Sequence, residues 1–294
     1  MRFPPLLVAL LAASACAQDK PPAAADGDRQ RRADSVIAAA AAPAPASVSA
    51  ETVTVPLGDG AVAVRVHTAP TTDALAGPAF ETFPLNALSL HDDENTSVEA
   101  ALVALRERGG RVVELVHSGA RNVTFTVGGE TYTADPNRMF TPAGRRRTLA
   151  ALSSASPAAE AALAAFADSV LAVYAAVPPA VVVTLHNNTE GRYSARSYEP
   201  GAEYAGDAAA VTVHDGSDPD DFFFVTDRDL YGLLVAAGFN AVLQDNDAAT
   251  DDGSLSVWAA QRGAAYVNVE AQHGHAAEQA RMIRALVDVL SERP

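Results

Sequence analysis

The apolar segment at residues 180–185 is the feature that most constrains the fold of this chain. It consists almost entirely of alanine, valine and leucine, and a strand of that composition is typical of a parallel sheet covered on both faces. Residues 86–90 and 111–117 are also strand-like, and a helical pattern that begins at Thr96 or Ser97 lies between them. Strand, helix and strand in succession predict parallel neighbours. The sequence therefore predicts an α/β fold with a mixed, largely parallel twisted sheet flanked by helices.

The first fifty residues have the composition of an export signal followed by a tether. Arg2 supplies a positive start, residues 6–12 are apolar, and small residues precede Cys16, so we predict a signal peptide over residues 1–15. Cys16 is the only cysteine in the chain, and its position resembles that of the acylated cysteine of bacterial lipoproteins. Residues 16–50 are rich in alanine and proline and lack aromatic side chains, which predicts a flexible tether. Residues 51–294 then form one α/β domain.

The same features predict where the protein lies and what it does not bind. We expect a lipid anchor on Cys16 and a location in the cell envelope, at the periplasmic or outer-membrane face, with ordinary secretion as the alternative. The net charge of −15 argues against binding to nucleic acid or to anionic membrane surfaces. Contact with a membrane is therefore expected only through the lipid anchor.

Three of the predicted strands lead into residues that can bind a metal or transfer a proton. These residues are His91 with Glu94 three positions later, His186, and Glu270. In an open α/β sheet, ligands collect beyond the carboxyl ends of the strands, and a buried ionisable group without a partner is costly. Two histidines and one glutamate make an open catalytic zinc site. We therefore predict that His91, Glu94 and His186 bind zinc, and that Glu270 is the general base for a zinc-activated water.

The order of these residues resembles that of the zinc carboxypeptidases, also called funnelins. The pattern is an HxxE pair, an arginine, an Asn-Arg pair, a third zinc-binding histidine and a late glutamate. The matching residues here are His91, Glu94, Arg121, Asn137, Arg138, His186 and Glu270. The resemblance implies a mixed sheet flanked by helices and a zinc cofactor. It also implies that Asn137 and Arg138 bind the terminal carboxylate of a substrate and that Arg121 stabilises the oxyanion.

We therefore expect an exported zinc-dependent hydrolase that cleaves an amide bond near a free carboxylate in a peptide or acyl amino acid. The short spacing between the HxxE and Asn-Arg pairs, and the lack of a clear counterpart for the family's mobile-loop tyrosine, leave alternatives open. One is an N-acyl amino acid deacylase or amidase of the succinylglutamate desuccinylase/aspartoacylase type. The other is a binding lipoprotein of the envelope without catalytic activity.

For several other polar residues the sequence does not indicate a single role. His117, His273 and His275 fit structural or rim positions, although His275 is a candidate to orient Glu270. Three tyrosines could line the site or pack within their own loop, namely Tyr193, Tyr198 and Tyr204. The acidic loop at residues 245–254 lacks the spacing of an EF-hand loop and favours a solvated turn over a calcium site.

Overall fold

Strands build the centre of the protein. The computed structural model describes residues 46–71, 85–177 and 179–292, and within these ranges eleven strands form two sheets. The strands are β1 (Ser49–Leu57), β2 (Gly60–Ala69), β3 (Asn86–Ser89), β4 (Gly110–Val116), β5 (Val123–Val127), β6 (Glu130–Ala134), β7 (Val182–Asn188), β8 (Ala208–Thr212), β9 (Phe222–Val225), β10 (Ala241–Gln244) and β11 (Tyr266–Gln272).

Helices connect most of these strands. The α-helices are α1 (Asn95–Arg108), α2 (Pro142–Leu152), α3 (Pro157–Tyr174), α4 (Arg228–Ala236), α5 (Leu255–Ala260) and α6 (Ala276–Ser291). Short 3-10 helices lie at Pro136–Arg138, Ala195–Tyr198 and Ala205–Asp207. Helices α2, α3 and α5 each begin after a serine or threonine whose hydroxyl accepts a hydrogen bond from a backbone N–H of the first turn.

The larger sheet has nine strands in the order β1-β2-β4-β3-β7-β11-β9-β10-β8 among the residues described. The four adjacent strands β4, β3, β7 and β11 are parallel, whereas β1, β2 and β8 pair antiparallel with their neighbours. Strands β5 and β6 form a separate hairpin. The predicted mixed sheet with a parallel core flanked by helices is confirmed.

Each face of the larger sheet is covered by its own hydrophobic core. One core contains buried side chains of α1, α4 and α6, and the other contains those of α2, α3, α5 and the β5–β6 hairpin. Because side chains alternate along a strand, Val183 and Leu185 of β7 belong to the first core and Val182 to the second. His186, one position after Leu185, therefore faces the side of the sheet that carries the hairpin.

Helix α3 is long and apolar enough to cross a membrane by length and composition alone. Its face with Leu163, Phe166 and Val170 is fully buried in the second core. We therefore interpret α3 as a core helix.

The described structure begins slightly before the predicted domain boundary at residue 51. The Ala46 N–H donates to the Arg106 carbonyl, and β1 starts at Ser49. The predicted signal peptide, the lipid site at Cys16 and the predicted tether up to residue 45 lie outside the described residues.

Helix α1 begins one residue earlier than the sequence indicates, so the predicted start at Thr96 or Ser97 is wrong. Glu94 occupies the N-cap position, but its side chain accepts no hydrogen bond from the helix. Its carboxylate is instead bonded to His186. The Glu94 carboxylate therefore contacts His186 and does not cap the helix.

Candidate metal centre

Neighbouring parallel strands bring the predicted site residues to one edge of the sheet. His186 lies on β7 directly opposite Glu270 on β11, and His91 follows β3 on the other side of β7. The sequence placed His186 and Glu270 at the ends of their strands, whereas β7 continues to Asn188 and β11 to Gln272. The two residues are nevertheless paired in register.

A tight turn carries Glu94 back toward His91. The Glu94 N–H donates to the His91 carbonyl at 3.2 Å. Asp92 fixes the turn from outside, since its Oδ2 accepts hydrogen bonds from the backbone N–H groups of His117 and Gly119, both at 2.7 Å. Asp92 thus shapes the turn, and His117 contributes to the site through its backbone.

His91, Glu94 and His186 form a buried cluster. Their exposed fractions are 2%, 1% and 4%. Glu94 Oε1 lies 2.9 Å from His91 Nδ1, and Glu94 Oε2 lies 2.8 Å from His186 Nδ1. The two Nδ1 atoms are 3.1 Å apart. Both imidazoles and the carboxylate therefore direct their ligand atoms at one point.

This donor set suits a divalent transition metal. Zinc with bonds of about 2.0–2.1 Å in a tetrahedral site separates its ligand atoms by about 3.3 Å, so the observed 2.8–3.1 Å spacing needs only a small expansion. Imidazole donors favour zinc and similar metals over the oxygen-seeking Mg²⁺ and Ca²⁺. The two Nδ1 atoms, 3.1 Å apart, offer two nitrogen ligands to one cation.

Asp135 contacts Nε2 of His91, whereas Glu94 contacts Nδ1 of the same ring. The sequence did not predict this contact. Asp135 Oδ1 lies 2.8 Å from His91 Nε2. Since an ionised carboxylate only accepts, Nε2 carries a hydrogen, and once the proton on Nδ1 is lost the Nδ1 lone pair is available to a metal. Asp135 Oδ1 also accepts from the Asn137 N–H at 2.7 Å. An aspartate that accepts from the N–H two residues later is typical of an ordinary turn. The sequence alone therefore does not indicate its contact with His91.

Opposite charges in the cluster shift the pKa values of His91, Glu94 and Asp135 in the direction opposite to that of burial. Burial alone would lower the pKa of His91, but Glu94 and Asp135 outweigh it and raise that pKa to about 9. Burial would raise the pKa of Glu94, yet His186 and His91 hold it well below its usual range. The pKa of Asp135 is likewise lowered, because His91 and nearby arginines outweigh burial. Burial lowers the pKa of His186 despite Glu94. Both carboxylates are therefore ionised at neutral pH.

Arg121 reaches this cluster from the surface. Its Nη1 donates to Glu94 Oε1 at 2.6 Å, and its Nε lies 3.7 Å from Asp135 Oδ2. The Arg121 side chain is 46% exposed, whereas that of Glu94 is 1% exposed. Arg121 is thus the most accessible positive charge that contacts the cluster.

Asn137 and Arg138 lie beside the cluster on the Pro136–Arg138 turn. Asn137 Nδ2 is 3.3 Å from His186 Nε2, and Asn137 Oδ1 accepts from the Leu255 N–H at 3.2 Å. Arg138 pairs with Asp252, whose Oδ2 lies 3.4 Å from its Nε. The structure therefore brings Asn137 next to His186 and Arg138 within electrostatic reach of Asp135.

The acidic loop is exposed at residues 246–248 and 250, as expected for a solvated turn, but its end supports the Asn137–Arg138 pair. Gly253 has a φ of +87°, and a Cβ there would lie 2.4 Å from the Arg138 carbonyl oxygen and 2.5 Å from Gly144 Cα. Only glycine permits this approach. Asp251 Oδ1 accepts from the Thr141 hydroxyl at 2.6 Å. The loop thus packs against the backbone of Arg138.

Glu270 is buried on the same face of the sheet as His186. It is 4% exposed, and its Oε2 accepts from Asn268 Nδ2 at 2.8 Å. Burial and the nearby Glu94 raise the pKa of Glu270 to about 8, against the opposing effects of Asn268, Arg121 and His91. The suggestion that His275 orients Glu270 is wrong, because His275 bonds Asp221. Asn268 contacts Glu270 instead.

Tyr193 and Tyr198 contact each other in the segment between β7 and β8. Their hydroxyl oxygens are 2.7 Å apart, and the rings pack with Tyr204. Burial, Tyr198 and Glu270 raise the pKa of Tyr193 well above its usual value. The tyrosines thus pack their own loop and lie within electrostatic reach of the candidate base.

Structures similar to this one include several hydrolase-like proteins, all at low sequence identity. Murein-tripeptide amidase MpaA from Escherichia coli O157 matches with a TM-score of 0.42 and 16% identity, over 84% of this chain and 93% of that one. A candidate metallopeptidase from Shewanella denitrificans OS217 matches with a TM-score of 0.37 and 15% identity, over 82% of each chain. One from Shewanella amazonensis SB2B matches with a TM-score of 0.33 and 10% identity, over 82% and 85%. No protein-family model and no curated protein matches the sequence.

The chain thus combines a mixed α/β sheet with a buried His-Glu-His group that could bind a metal. At these TM-scores the similarity concerns the course of the chain. The chemistry of the site rests on its own residues.

Proposed function

We propose that this protein is a zinc-dependent hydrolase of the metallocarboxypeptidase type, which cleaves an amide bond next to a free carboxylate. The observation that carries the proposal is the buried His91–Glu94–His186 cluster, whose two Nδ1 atoms and carboxylate face one point. His91, Glu94 and His186 would hold the zinc ion, with Asp135 fixing the ring of His91.

Zinc bound there would polarise a substrate carbonyl and lower the pKa of water. Glu270 would take up a proton, and the support for this role is that it lies in register with His186 on the same face. Asn268 Nδ2 occupies its Oε2, so Oε1 is the atom that would accept the proton. Without a metal the pKa of Glu270 is about 8. A bound cation would lower this pKa, so that the carboxylate is ionised and can accept the proton.

The remaining polar groups would bind the substrate. The Arg138 guanidinium can bind both oxygens of a terminal carboxylate. Asp252, which contacts Nε of Arg138, would compete with the substrate for this guanidinium. Asn137, held by the Leu255 N–H, would add its side-chain amide to the same site. Arg121 is half exposed and would turn from Glu94 toward the oxyanion that forms at the substrate carbonyl.

The test is a substrate panel together with metal analysis of the full chain. The panel contains peptides with free and amidated C-termini and N-acyl amino acids. The proposal predicts zinc-dependent release of a residue that carries a free carboxylate, and loss of that release in Glu270→Gln. Release of acyl groups alone would favour an N-acyl amino acid deacylase or amidase. Stoichiometric zinc without any turnover would identify a binding protein and reject the hydrolase.

We also propose that the protein is exported and anchored through a lipid on Cys16. The support is the sequence of residues 1–16. Incorporation of a radiolabelled fatty acid by cells that make the parent, but not Cys16→Ser, is the expected result. Equal labelling of both would reject the anchor.

A further inference from the structure

A cavity away from the His91 cluster opens beside the start of helix α6. Its volume is about 570 Å³, and its lining includes Asp218, Asp221, Asn240, His275, Glu278 and Arg281. None of these residues has a role in the proposed hydrolysis. The cavity lies between the loop before β9 and the loop from β11 to α6.

Three side chains in this cavity could together hold a metal ion. One ligand atom each from Asp218, Asp221 and His275 lies within 4.8 Å of the others. His275 Nδ1 is 2.9 Å from Asp221 Oδ2. Two carboxylates and one imidazole make a mixed donor set, which suits zinc and related divalent metals.

The backbone fixes both carboxylates independently of one another. Asp221 Oδ1 accepts from the Gln272 N–H at 2.9 Å, and Asp218 Oδ1 accepts from the Asp220 N–H at 3.0 Å. Asn240 Nδ2 donates to the carbonyls of Asp218 and Asp221 and so ties their loop to β10. The positions of the carboxylates are therefore set before any cation binds, which reduces the cost of binding.

The local charge favours a cation. Arg281 forms a two-pronged pair with Glu278, through Nε and Nη2, so these two charges largely cancel. Asp218 and Asp221 then face one imidazole. Asp221 is 8% exposed, so its charge is poorly solvated by water.

We propose that Asp218, Asp221 and His275 form a second site for a divalent metal of the zinc class. The ligands come from two chain segments that are 54 residues apart between Asp221 and His275. A metal there ties the loop before β9 to the end of β11. Since Gln272 already bonds Asp221, the site braces the strand that carries Glu270 two residues earlier.

The test uses the full chain, stripped of metal and titrated with zinc alone. Bound zinc is measured against a chromophoric chelator, and folding is checked by circular dichroism. In a His186→Ala background, which removes a ligand of the buried cluster, one zinc equivalent is expected to remain. Adding His275→Ala or Asp218→Asn should weaken that binding at least tenfold. Asp218 is exposed, so its substitution leaves the core untouched.

Matched controls are available in the same segments. His273 and Asp215 are exposed and lie outside the ligand group, so His273→Ala and Asp215→Asn should bind zinc like the background protein. Equal zinc affinity in all four variants would overturn the proposal, as would the absence of zinc binding in the background protein. Because the buried cluster is disabled throughout, failure here is separate from failure of the proposed hydrolase.

Discussion

Asp135→Asn is the substitution that isolates one contact of the candidate metal centre. Asp135 Oδ1 accepts from both His91 Nε2 and the Asn137 N–H, at 2.8 and 2.7 Å. Asparagine keeps an oxygen for both bonds and has nearly the same shape. The change therefore removes the negative charge behind His91 while it leaves the turn intact.

The expected loss follows from the role of such partners. Substituting the group that hydrogen-bonds a metal-binding histidine typically costs about 10–100-fold in metal affinity, or about 1.4–2.8 kcal/mol at about 1.4 kcal/mol per tenfold. The Asp135 side chain is 16% exposed and that of His91 is 0% exposed, so water screens the pair little. The loss should therefore lie within this range and not near the small effect of a surface pair.

The assay is zinc competition with a chromophoric chelator, carried out in parallel with NMR titration of the histidines in the stripped protein. Asp229→Asn, an exposed carboxylate on α4, is the control. The substitution should also lower the pKa of His91 from about 9, since Asp135 contributes to raising it. Zinc affinity within threefold of the parent, together with an unchanged His91 pKa, would refute the role given to Asp135.

The other predictions concern Glu270, Arg138 and Gly253. Glu270→Gln should keep zinc but lower kcat by at least about 100-fold, the usual contribution of a general base; unchanged kcat would exclude Glu270. Arg138→Ala should raise KM for peptides with a free C-terminal carboxylate more than for amidated ones, and equal effects on both would contradict carboxylate binding. Gly253→Ala should raise the same KM because a Cβ displaces the Arg138 carbonyl; Gly128→Ala, at an open turn, is the control. In stripped protein, native Glu270 keeps its proton up to a pKa of about 8 whereas the unfolded chain releases it near 4.5. Stability should therefore fall as pH rises through this window, by on the order of 5 kcal/mol, and a parent-minus-Glu270→Gln difference that is flat with pH would contradict this.

The convergence of the site could be predicted from sequence because it follows from local patterns. Apolar segments before His91, His186 and Glu270 predict buried strands, and a strand-helix-strand order predicts parallel pairing. Parallel strands place their carboxyl ends at one edge, so the three positions had to meet. No long-range contact needed to be known.

Features that depend on long-range contacts could not be predicted. Asp135 resembles a simple cap because it accepts from Asn137, and its bond to His91 spans 44 residues. Helix α2 contains glycine and three adjacent arginines and shows little amphipathic pattern, so its packing decides its conformation. Strand β1 lies next to the alanine- and proline-rich segment, and only its pairing with β2 distinguishes it.

The central claim is that His91, Glu94 and His186 hold one zinc ion, and zinc stoichiometry tests it most directly. The measurement is made in a His275→Ala background, so that the second proposed site does not contribute. One tightly bound zinc per chain is expected, and it should be lost in His186→Ala and in Glu94→Gln but retained in His214→Ala, a histidine outside the cluster. Absence of tight zinc in the background protein, or its retention in His186→Ala, would contradict the proposed metal centre.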